Sequence, residues 1–311
     1  MIEGGCILDS NKVNNQSPLV YIIILNWNGT EDTLECLESF RKVDYSSYKT
    51  IVVDNSSKVS CKGEVLARYP TVEVIELENN LGFAGGCNVG IKRAIDEGAN
   101  YVWLLNNDTE VEPNALTTMV KEGEKNTRAG ILGSKIYYFD ERHIINHTGG
   151  RVVPHKWHIT IHVGAGEVDV GQYNEVKEFD YVTGCSMLVK REVIEQIGLM
   201  DEKYFLYYEE TDWCLKAKKA GWSIIYVPES VIYHKVSRSI QKNSPLRNYY
   251  FARNSLRFIV RNFPFMLIFA LYWWPRYFFI NHLLKRRYEH LKMSVRGLRD
   301  FFYGRYGKYE S

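Results

Sequence analysis

The chain has 311 residues and a net charge of +2, so it can bury a large core and has no charge excess that would suit nucleic-acid binding. Its six scattered cysteines form no C-x-x-C pair, which argues against a zinc site or a disulfide framework and favours a reducing compartment. Residues 1–18 predict a polar, mobile lead-in, without the basic flank and apolar core of a secretory signal.

The first half of the chain alternates predicted strands and helices. Short apolar, β-branched runs predict strands over residues 20–25, 50–53, 72–77 and 101–105. A helix is predicted after the first strand, with Thr30 as its N-cap, and another is predicted over residues 90–97. Because this alternation is typical of parallel βαβ units, we predict an α/β fold.

Small polar side chains end three of these strands. Residues 26–29 (Asn-Trp-Asn-Gly) end the first strand, Asp54 ends the second, and residues 106–108 (Asn-Asn-Asp) end the fourth. The turn preference of Asn and Asp explains each group taken alone. Their convergence predicts a site, because ligands of open α/β sheets bind outside the carboxyl ends of the strands. There Asp54 would bind a ribose hydroxyl or a base N–H, and Asp108 would hold a divalent cation against a diphosphate.

Residues 80–90 contain four glycines and are predicted to form a loop before the second helix. Missing Cβ atoms would let this backbone approach a phosphate or a sugar, and the following helix would present free N–H groups. Close packing of a helix on a strand is the alternative explanation for the glycines. The segment matches neither a dinucleotide-binding G-x-G-x-x-G after the first strand nor a phosphate loop ending in Gly-Lys-Ser/Thr.

The second half is less regular. Residues 133–153 and 158–182 predict strands and loops of mixed direction, followed by a strand over 183–189 and a helix over 191–197. A further helix is predicted from the acidic residues at 209–212 to Ala220, where Gly221 stops it. Strands are then predicted over 223–227 and 231–234.

Two features of this half suggest chemistry. Glu209, Glu210 and Asp212 crowd three carboxylates among aromatic residues, which would raise the pKa of at least one and suit a general base. The alternative is that these acids only complement the helix dipole. His234 follows an apolar stretch, where a core histidine is the ordinary explanation, but a neutral imidazole would also complete a cation site begun by Asp108.

Taken together, these segments resemble the inverting family 2 glycosyltransferases of the GT-A fold, and most of all their rhamnosyltransferase-like branch. The resemblance runs through residues 19–236, and six motifs carry it in order, at residues 25–29, 53–57, 80–90, 105–108, 183–185 and 209–214. It implies a Rossmann-like, mostly parallel sheet flanked by helices over residues 19–245. Residues 246–311 would form a helical, membrane-facing extension.

The resemblance also implies roles for individual residues. Glu210 stands at the position of the catalytic base, and Asp212 would orient or support it. Asp108 and His234 would bind Mg²⁺ or Mn²⁺, although Asn106 replaces the first carboxylate of the Asp-x-Asp found in many relatives. The donor nucleotide sugar would be bound or enclosed by Asn26, Asn28, Asp54, Asn80, Gly82, Phe83, Gly86, Asn88, Asn106, Asn107 and Gly184.

The implied reaction is metal-assisted transfer of a sugar from a nucleotide diphosphate, with inversion, to a hydroxyl of a glycan or a polyprenyl-diphosphate-linked glycan. The resemblance makes dTDP-rhamnose the preferred donor. A UDP-hexose is the next candidate, and it stays open because no single residue distinguishes the two donors. A nucleotidyltransferase is the first rival, although residues 26–29 lack the basic phosphate loop expected of it. A non-catalytic sugar-nucleotide or lipid-binding module is the second, although binding alone needs no cluster of repelling carboxylates. A glycoside hydrolase would use two carboxylates that flank a sugar–sugar bond.

The C-terminal region changes in composition. Aromatic and basic residues alternate from Arg247 onward, and residues 262–275 are uncharged but too short for an ordinary membrane-spanning helix. This pattern predicts that residues 246–300 contact an anionic membrane surface, which the family places at the cytoplasmic leaflet. The alternative is a helical hairpin that packs on the catalytic domain or on a second subunit of a homo-oligomer.

Overall fold

The computed structural model of the chain describes residues 17–154, 159–236, 244–276 and 280–310. The predicted lead-in over residues 1–18 lies outside this part of the chain except for Ser17 and Pro18. Residues 277–279 of the predicted membrane-facing region also lie outside it, as does the first residue of the segment predicted from position 158.

A ten-stranded sheet forms the centre of the molecule. Its strands are β1 (Val20–Asn26), β2 (Tyr48–Asp54), β3 (Glu73–Glu76), β4 (Tyr101–Asn106), β5 (Thr109–Val111), β6 (Ala129–Tyr138), β7 (Ile145–His147), β10 (Lys177–Phe179), β11 (Ser186–Lys190) and β12 (Ser223–His234). A separate two-stranded sheet pairs β8 (Gly149–Val152) with β9 (Thr160–Val163). The strands that the sequence predicts in the first half are therefore confirmed, with ends that differ by a few residues.

The main sheet has the order β10-β12-β6-β11-β4-β1-β2-β3, with β5 added to β12 and β7 to β6. Strands β3, β2, β1 and β4 are parallel, β11 runs against both β4 and β6, and β12 is parallel to β6. The predicted α/β fold with a mostly parallel sheet is confirmed. The register places Asn26 beside Asp54, and Leu25 beside Asn106, so these strand ends share one edge.

Helices cover both faces of the sheet. They are α1 (Thr30–Ser39), α2 (Lys62–Arg68), α3 (Gly82–Asp96), α4 (Ala115–Lys125), α5 (Arg191–Ile197), α6 (Glu209–Lys219), α7 (Pro245–Asn262), α8 (Leu267–Pro275), α9 (Asn281–Leu284) and α10 (Tyr288–Phe302). Helices α2 and α4 were not predicted. The prediction of Thr30 as an N-cap is wrong by one residue, because Gly29 occupies that position and Thr30 is the first helical residue.

The glycine-rich segment is helical from Gly82 onward, so the prediction of a loop over residues 80–90 is wrong for most of its length. A Cβ atom on Gly86 would lie 2.4 Å from Cδ1 of Leu25, and one on Gly90 would lie 2.5 Å from Cγ2 of Ile23. These two glycines therefore let α3 sit directly on β1, which is the packing alternative considered above. Close packing outweighs the low helix propensity of glycine here.

The sheet core is buried on both sides. On β1, Val20, Ile22 and Ile24 enter one apolar cluster, and Tyr21 and Ile23 enter the cluster on the opposite face. Parallel strands covered by helices on both faces are expected to be apolar throughout rather than alternating. The polar residues at the strand ends are therefore confined to the edge of the sheet.

The C-terminal region divides into a packed part and an exposed part. Helix α7 is largely buried, and α10 lies so close to it that a Cβ on Gly297 would come within 2.4 Å of the carbonyl oxygen of Tyr249. In contrast, Phe265 is 91% exposed and Ile268 is 79% exposed. No helix within the described ranges is both long enough and apolar enough to cross a membrane. The predicted boundary at residue 245 and the membrane-facing role stay predictions.

Candidate active site

Asn26 links the ends of β1 and β2 to the first helix. Its Nδ2 donates to Oγ of Ser57 at 3.2 Å and to Oδ2 of Asp54 at 3.4 Å. Its Oδ1 accepts a hydrogen bond from the hydroxyl of Thr33 at 3.1 Å. Because the side chain is fully buried, these contacts account for its polar groups and fix the edge of the site.

Asp54 is also buried, and its carboxylate accepts hydrogen bonds from the backbone N–H groups of Ser57 and Cys61, both at 2.9 Å. Burial by itself raises the pKa of Asp54, but these hydrogen bonds outweigh it and lower the pKa below its ordinary value of 3.8. The ionised carboxylate therefore shapes the turn after β2. Beside it, the exposed Asn28 donates its backbone N–H to Oγ of Ser57 at 2.8 Å. The predicted contacts of Asp54 and Asn28 with the donor stay predictions.

Asn55 lies at the candidate site but was not predicted from the sequence. Its Oδ1 accepts from the backbone N–H of Leu81 at 2.9 Å, and its Nδ2 donates to the carbonyl of Gly82 at 3.0 Å and to Oδ1 of Asn80 at 3.2 Å. The side chain is buried and joins the turn after β2 to the start of α3. The only sequence indication was its place within the Asp-Asn-Ser-Ser turn.

The start of α3 meets the segment that precedes α6. Gly82 has φ +75°, and a Cβ there would lie 2.2 Å from the carbonyl oxygen of Phe205. The backbone N–H of Phe83 donates to that same oxygen at 2.7 Å. A Cβ on Gly184 would lie 2.7 Å from Cζ of Phe83. Three predicted site residues (Gly82, Phe83 and Gly184) thus come together here.

Gly86 and Asn88 lie deeper. Gly86 packs on β1, as described above. Asn88 is buried and donates to the carbonyl of Met200 at 2.9 Å and to Oε1 of Glu202 at 3.0 Å, while its Oδ1 accepts from the N–H of Met200 at 3.2 Å. Both residues make their contacts within the protein interior, and their predicted part in the donor pocket stays a prediction.

The turn after β4 is held by its two asparagines. Asn107 donates from Nδ2 to the hydroxyl of Thr33 at 3.1 Å and to the carbonyl of Gly29 at 3.2 Å. Nδ2 of Asn106 lies 3.5 Å from Nε2 of His234. Thr33 was not predicted as a site residue, although it joins Asn107 to Asn26. Its position one turn into α1 could have indicated this role.

Asp108 and His234, the predicted metal ligands, are in contact. Oδ1 of Asp108 lies 3.1 Å from Nε2 of His234, and both side chains are largely buried. Burial lowers the pKa of His234, but the neighbouring Cys185 and Asp108 outweigh it, so the pKa is well above 6.5. Within the described part of the chain, no three His, Cys, Asp or Glu residues group as a metal cluster. One carboxylate and one imidazole would suit an ion that takes its remaining ligands from diphosphate and water, provided that the ion displaces the proton of His234.

Glu209 and Glu210 begin α6 as a pair of coupled acids. Burial and then the charge of Glu210 raise the pKa of Glu209 well above 4.5, and burial raises that of Glu210 although backbone N–H groups partly oppose it. The prediction that crowding would raise at least one pKa is confirmed. In each residue, Oε2 is buried and has no hydrogen-bond partner among the described residues. These oxygens are the free acceptors that a general base needs.

Asp212 does not join this pair. Its Oδ1 accepts from Nδ2 of Asn262 at 2.6 Å, and its Oδ2 lies 3.3 Å from Nη2 of Arg261. Two residues along a helix turn by about 200°, so Asp212 and Glu210 point to different sides of α6. Asp212 therefore anchors α6 to the end of α7, and any support of Glu210 acts through the helix itself.

Comparison with known proteins identifies a matching family and similar glycosyltransferases. The family model described as "Glycosyl transferase family 2" matches residues 21–198. The dTDP-rhamnosyl transferase RfbF of Shigella flexneri is 26% identical over 256 residues, which cover 78% of this chain and 80% of that protein. The N-acetylglucosaminyl-diphospho-decaprenol L-rhamnosyltransferase of Mycobacterium tuberculosis is 27% identical over 206 residues, 61% of this chain and 67% of its own.

Solved structures agree on the fold. A mannosyltransferase from Pyrobaculum calidifontis, solved in complex with GDP-Man and Mn²⁺, superposes with a TM-score of 0.60 at 14% identity. The match covers 93% of this chain and 88% of that one. At this sequence identity the similarity is evidence of the fold alone. It confirms the predicted GT-A-like fold.

Proposed function

Because the chain belongs to glycosyltransferase family 2 and is a glycosyltransferase of its rhamnosyltransferase-like branch, we propose that it transfers L-rhamnose from dTDP-rhamnose, with inversion, to a hydroxyl of a glycan or a polyprenyl-diphosphate-linked glycan. The contact between Asp108 and His234 at the carboxyl edge of the sheet carries the proposal of a diphosphate-type donor site. The donor sugar is supported by the names of two relatives, and a lipid-linked acceptor by the name of the mycobacterial one.

The leaving group would be bound at the edge formed by the ends of β1, β4 and β12. Asp108 and His234 would hold Mg²⁺ or Mn²⁺, and a cation bound there neutralises the charge of a diphosphate leaving group. Asn107 keeps this turn in place through its hydrogen bonds to Thr33 and Gly29. The turn after β2, shaped by Asp54, would receive the nucleoside.

Glu210 would take the proton from the acceptor hydroxyl as that oxygen attacks the anomeric carbon. A buried carboxylate with a raised pKa is a stronger base than an exposed one, and its unpartnered Oε2 is available to accept the proton. A single displacement needs one base and attack on the face opposite the leaving group, so the anomeric centre inverts. Glu209 and Glu210 are adjacent residues at one helix start, which does not suit a hydrolase that needs two carboxylates flanking the scissile bond.

The acceptor side of the proposal includes a membrane surface. Phe265, Ile268 and Leu284 are each more than three-quarters exposed, and Lys285 and Arg286 follow directly. Exposed apolar side chains beside basic ones suit the boundary between acyl chains and anionic headgroups. Our proposal puts the enzyme at the cytoplasmic leaflet, the side that the family resemblance implies, where a polyprenyl-linked glycan would present its hydroxyl.

Calorimetric titration tests the donor directly. The protein would be titrated with dTDP, dTDP-rhamnose, UDP and UDP-hexoses, with Mn²⁺ or Mg²⁺ and then with chelator. Metal-dependent binding that is tightest for dTDP-rhamnose is the expected result. Tighter binding of a UDP-sugar would replace the donor by the UDP-hexose alternative, and binding that ignores chelator would remove the cation from the proposal.

A further inference from the structure

The segment that leads into Glu209 and Glu210 has an unusual backbone. Phe205, Tyr207 and Tyr208 have φ values of 63°, 69° and 76°, in the left-handed region that large side chains avoid. Such residues are strained and persist only where the surroundings hold them. The conformation of this segment is therefore imposed by whatever packs against it.

Asn254 of α7 supplies that restraint. It is fully buried, and its Nδ2 lies within hydrogen-bond distance of three carbonyl oxygens of the segment, those of Tyr204 at 2.8 Å, Leu206 at 2.7 Å and Tyr207 at 3.2 Å. Residues in the left-handed conformation direct their carbonyl groups away from the hydrogen bonds of a regular helix or sheet. Here these carbonyls converge on the side-chain amide of Asn254.

Arg253 orients that amide. Its Nε donates to Oδ1 of Asn254 at 3.0 Å, its Nη2 donates to the carbonyl of Tyr204 at 3.0 Å, and its Nη1 donates to the carbonyl of Gly307 at 2.8 Å. The guanidinium is fully buried and also lies over the ring of Tyr250, at 5.2 Å. Two consecutive side chains of α7 therefore join the C-terminal tail to the segment before α6.

The opposite side of the segment touches the start of α3. There the carbonyl of Phe205 accepts from the N–H of Phe83, and Gly82 leaves room for this approach. The segment is thus clamped between α3, which would border the donor site, and α7. Its last residue, Tyr208, is the N-cap of α6, whose first two residues are Glu209 and Glu210.

From this geometry we propose that Asn254 is a positioning residue for the catalytic base: it holds residues 204–208 in the conformation that aims Glu210 at the acceptor. The inference rests on the proposed function, in which Glu210 is that base. It gives the buried part of the C-terminal region a role in the chemistry, separate from its proposed contact with the membrane. Arg253 shares the role by orienting the amide of Asn254.

The environment of Glu210 provides a measurable readout. Several titratable groups interact with the charge of Glu210, and they lie on α3, between β10 and β11, on the clamped segment and on α6. They are Cys87, Tyr181, Tyr207, Tyr208, Glu209 and Cys214. None of these is a cation, so burial is what keeps the carboxyl protonated to higher pH. Loosening the segment would admit water and lower the apparent pKa of the pair.

The experiment compares Asn254→Ala with Asn248→Ala, a matched control on the same helix. Asn248 also uses its side-chain amide within the C-terminal region, but toward His282 and His290 instead of residues 204–208. For Asn254→Ala we expect kcat to fall about 10- to 100-fold, the size expected of a misplaced catalytic group. The acidic limb of the pH–activity profile, where activity rises as the base loses its proton, should move to lower pH. Calorimetric binding of dTDP should stay close to wild type. Asn248→Ala should keep the wild-type pH profile.

Arg253→Lys provides a second variant if Asn254→Ala does not fold. Lysine keeps the positive charge but lacks the planar guanidinium that donates to Asn254, Tyr204 and Gly307 at once. Glu210→Gln is measured in parallel to separate the two proposals. If Glu210→Gln stays active, the proposed base is wrong whatever Asn254 does. If Glu210→Gln is inactive while folded Asn254→Ala and Arg253→Lys both keep the wild-type kcat and pH profile, only the positioning role is overturned.

Discussion

The carboxylate of Asp108 lies 3.1 Å from Nε2 of His234, although β4 and β12 are separated by much of the chain. The contact arises because β5, which begins directly after Asp108, pairs antiparallel with the end of β12 and places Thr109 opposite His234. A strand pairing thus assembles the candidate cation site. The same pairing keeps both side chains largely buried beside the asparagine turn.

This contact leads to a prediction for the Asp108→Ala variant. Loss of the carboxylate should weaken Mn²⁺-dependent binding of dTDP by at least about tenfold, or about 1.4 kcal/mol, because only His234 would remain as a protein ligand. Calorimetric titration with Mn²⁺ and with chelator measures the effect. Asp44→Ala removes an exposed carboxylate elsewhere and should leave binding unchanged. Equal affinities of the Asp108→Ala and wild-type proteins under both conditions would remove Asp108 from the cation site.

The base assignment predicts the behaviour of Glu210→Gln. The amide cannot accept a proton, so transfer should fall by about 10²- to 10⁴-fold while dTDP binding stays near normal. Initial rates of sugar transfer and calorimetry on the same sample measure the two quantities. Glu209→Gln, assayed alongside, shows which acid of the coupled pair is the base. Loss of nucleotide binding in a folded Glu210→Gln protein would make Glu210 a binding residue instead.

The raised pKa of Glu209 leads us to predict that the free energy of unfolding depends on pH. Its pKa is raised well above 4.5 on folding, first by burial, so the folded protein holds this proton more tightly than the unfolded chain does. Stability therefore falls as the pH rises above 4.5, because the buried group must ionise. Glu209→Gln should raise the free energy of unfolding at pH 7 by on the order of 1 kcal/mol and give little gain at pH 4. Denaturant titrations at the two pH values measure this.

The control for that experiment is Glu64→Gln, on the exposed side of α2. This substitution removes a carboxyl that is already in water, so it should leave stability unchanged at both pH values. If Glu209→Gln does not raise the free energy of unfolding at pH 7, the ionisation of Glu209 does not destabilise the folded protein, and this prediction is wrong.

The exposed apolar side chains of the C-terminal region predict membrane binding. Replacing Phe265 and Ile268 together by serine should reduce sedimentation with anionic phospholipid vesicles by about tenfold or more, since burying each side chain contributes about 1.5–3 kcal/mol. Val170→Ser, at an 83% exposed position between β9 and β10, is the matched control. Higher salt should weaken wild-type binding. Vesicle binding that is equal in all three proteins would contradict the membrane proposal.

Much of the fold followed from local pattern. The apolar runs predicted β1 to β4, and the polar residues that end them predicted one shared edge, because parallel strands place their carboxyl ends together. The glycines at 86 and 90 were harder to interpret. A missing Cβ has the same appearance in a sequence whether it admits a ligand or a neighbouring strand, and only the contact with Leu25 and Ile23 distinguishes the two.

The sequence by itself determined the family, the alternation of strands and helices, and the acids and amides available for chemistry, because these depend on neighbouring residues and on motifs in a fixed order. The tertiary structure alone decided which of them meet. It brought Asp108 into contact with His234, a pair that the sequence could only suggest as a cation site. It also turned Asp212 away from Glu210 toward α7 and set Asn254 against the backbone of residues 204–208. Contacts of this kind depend on strand pairing and helix packing between distant segments, and no local pattern records them.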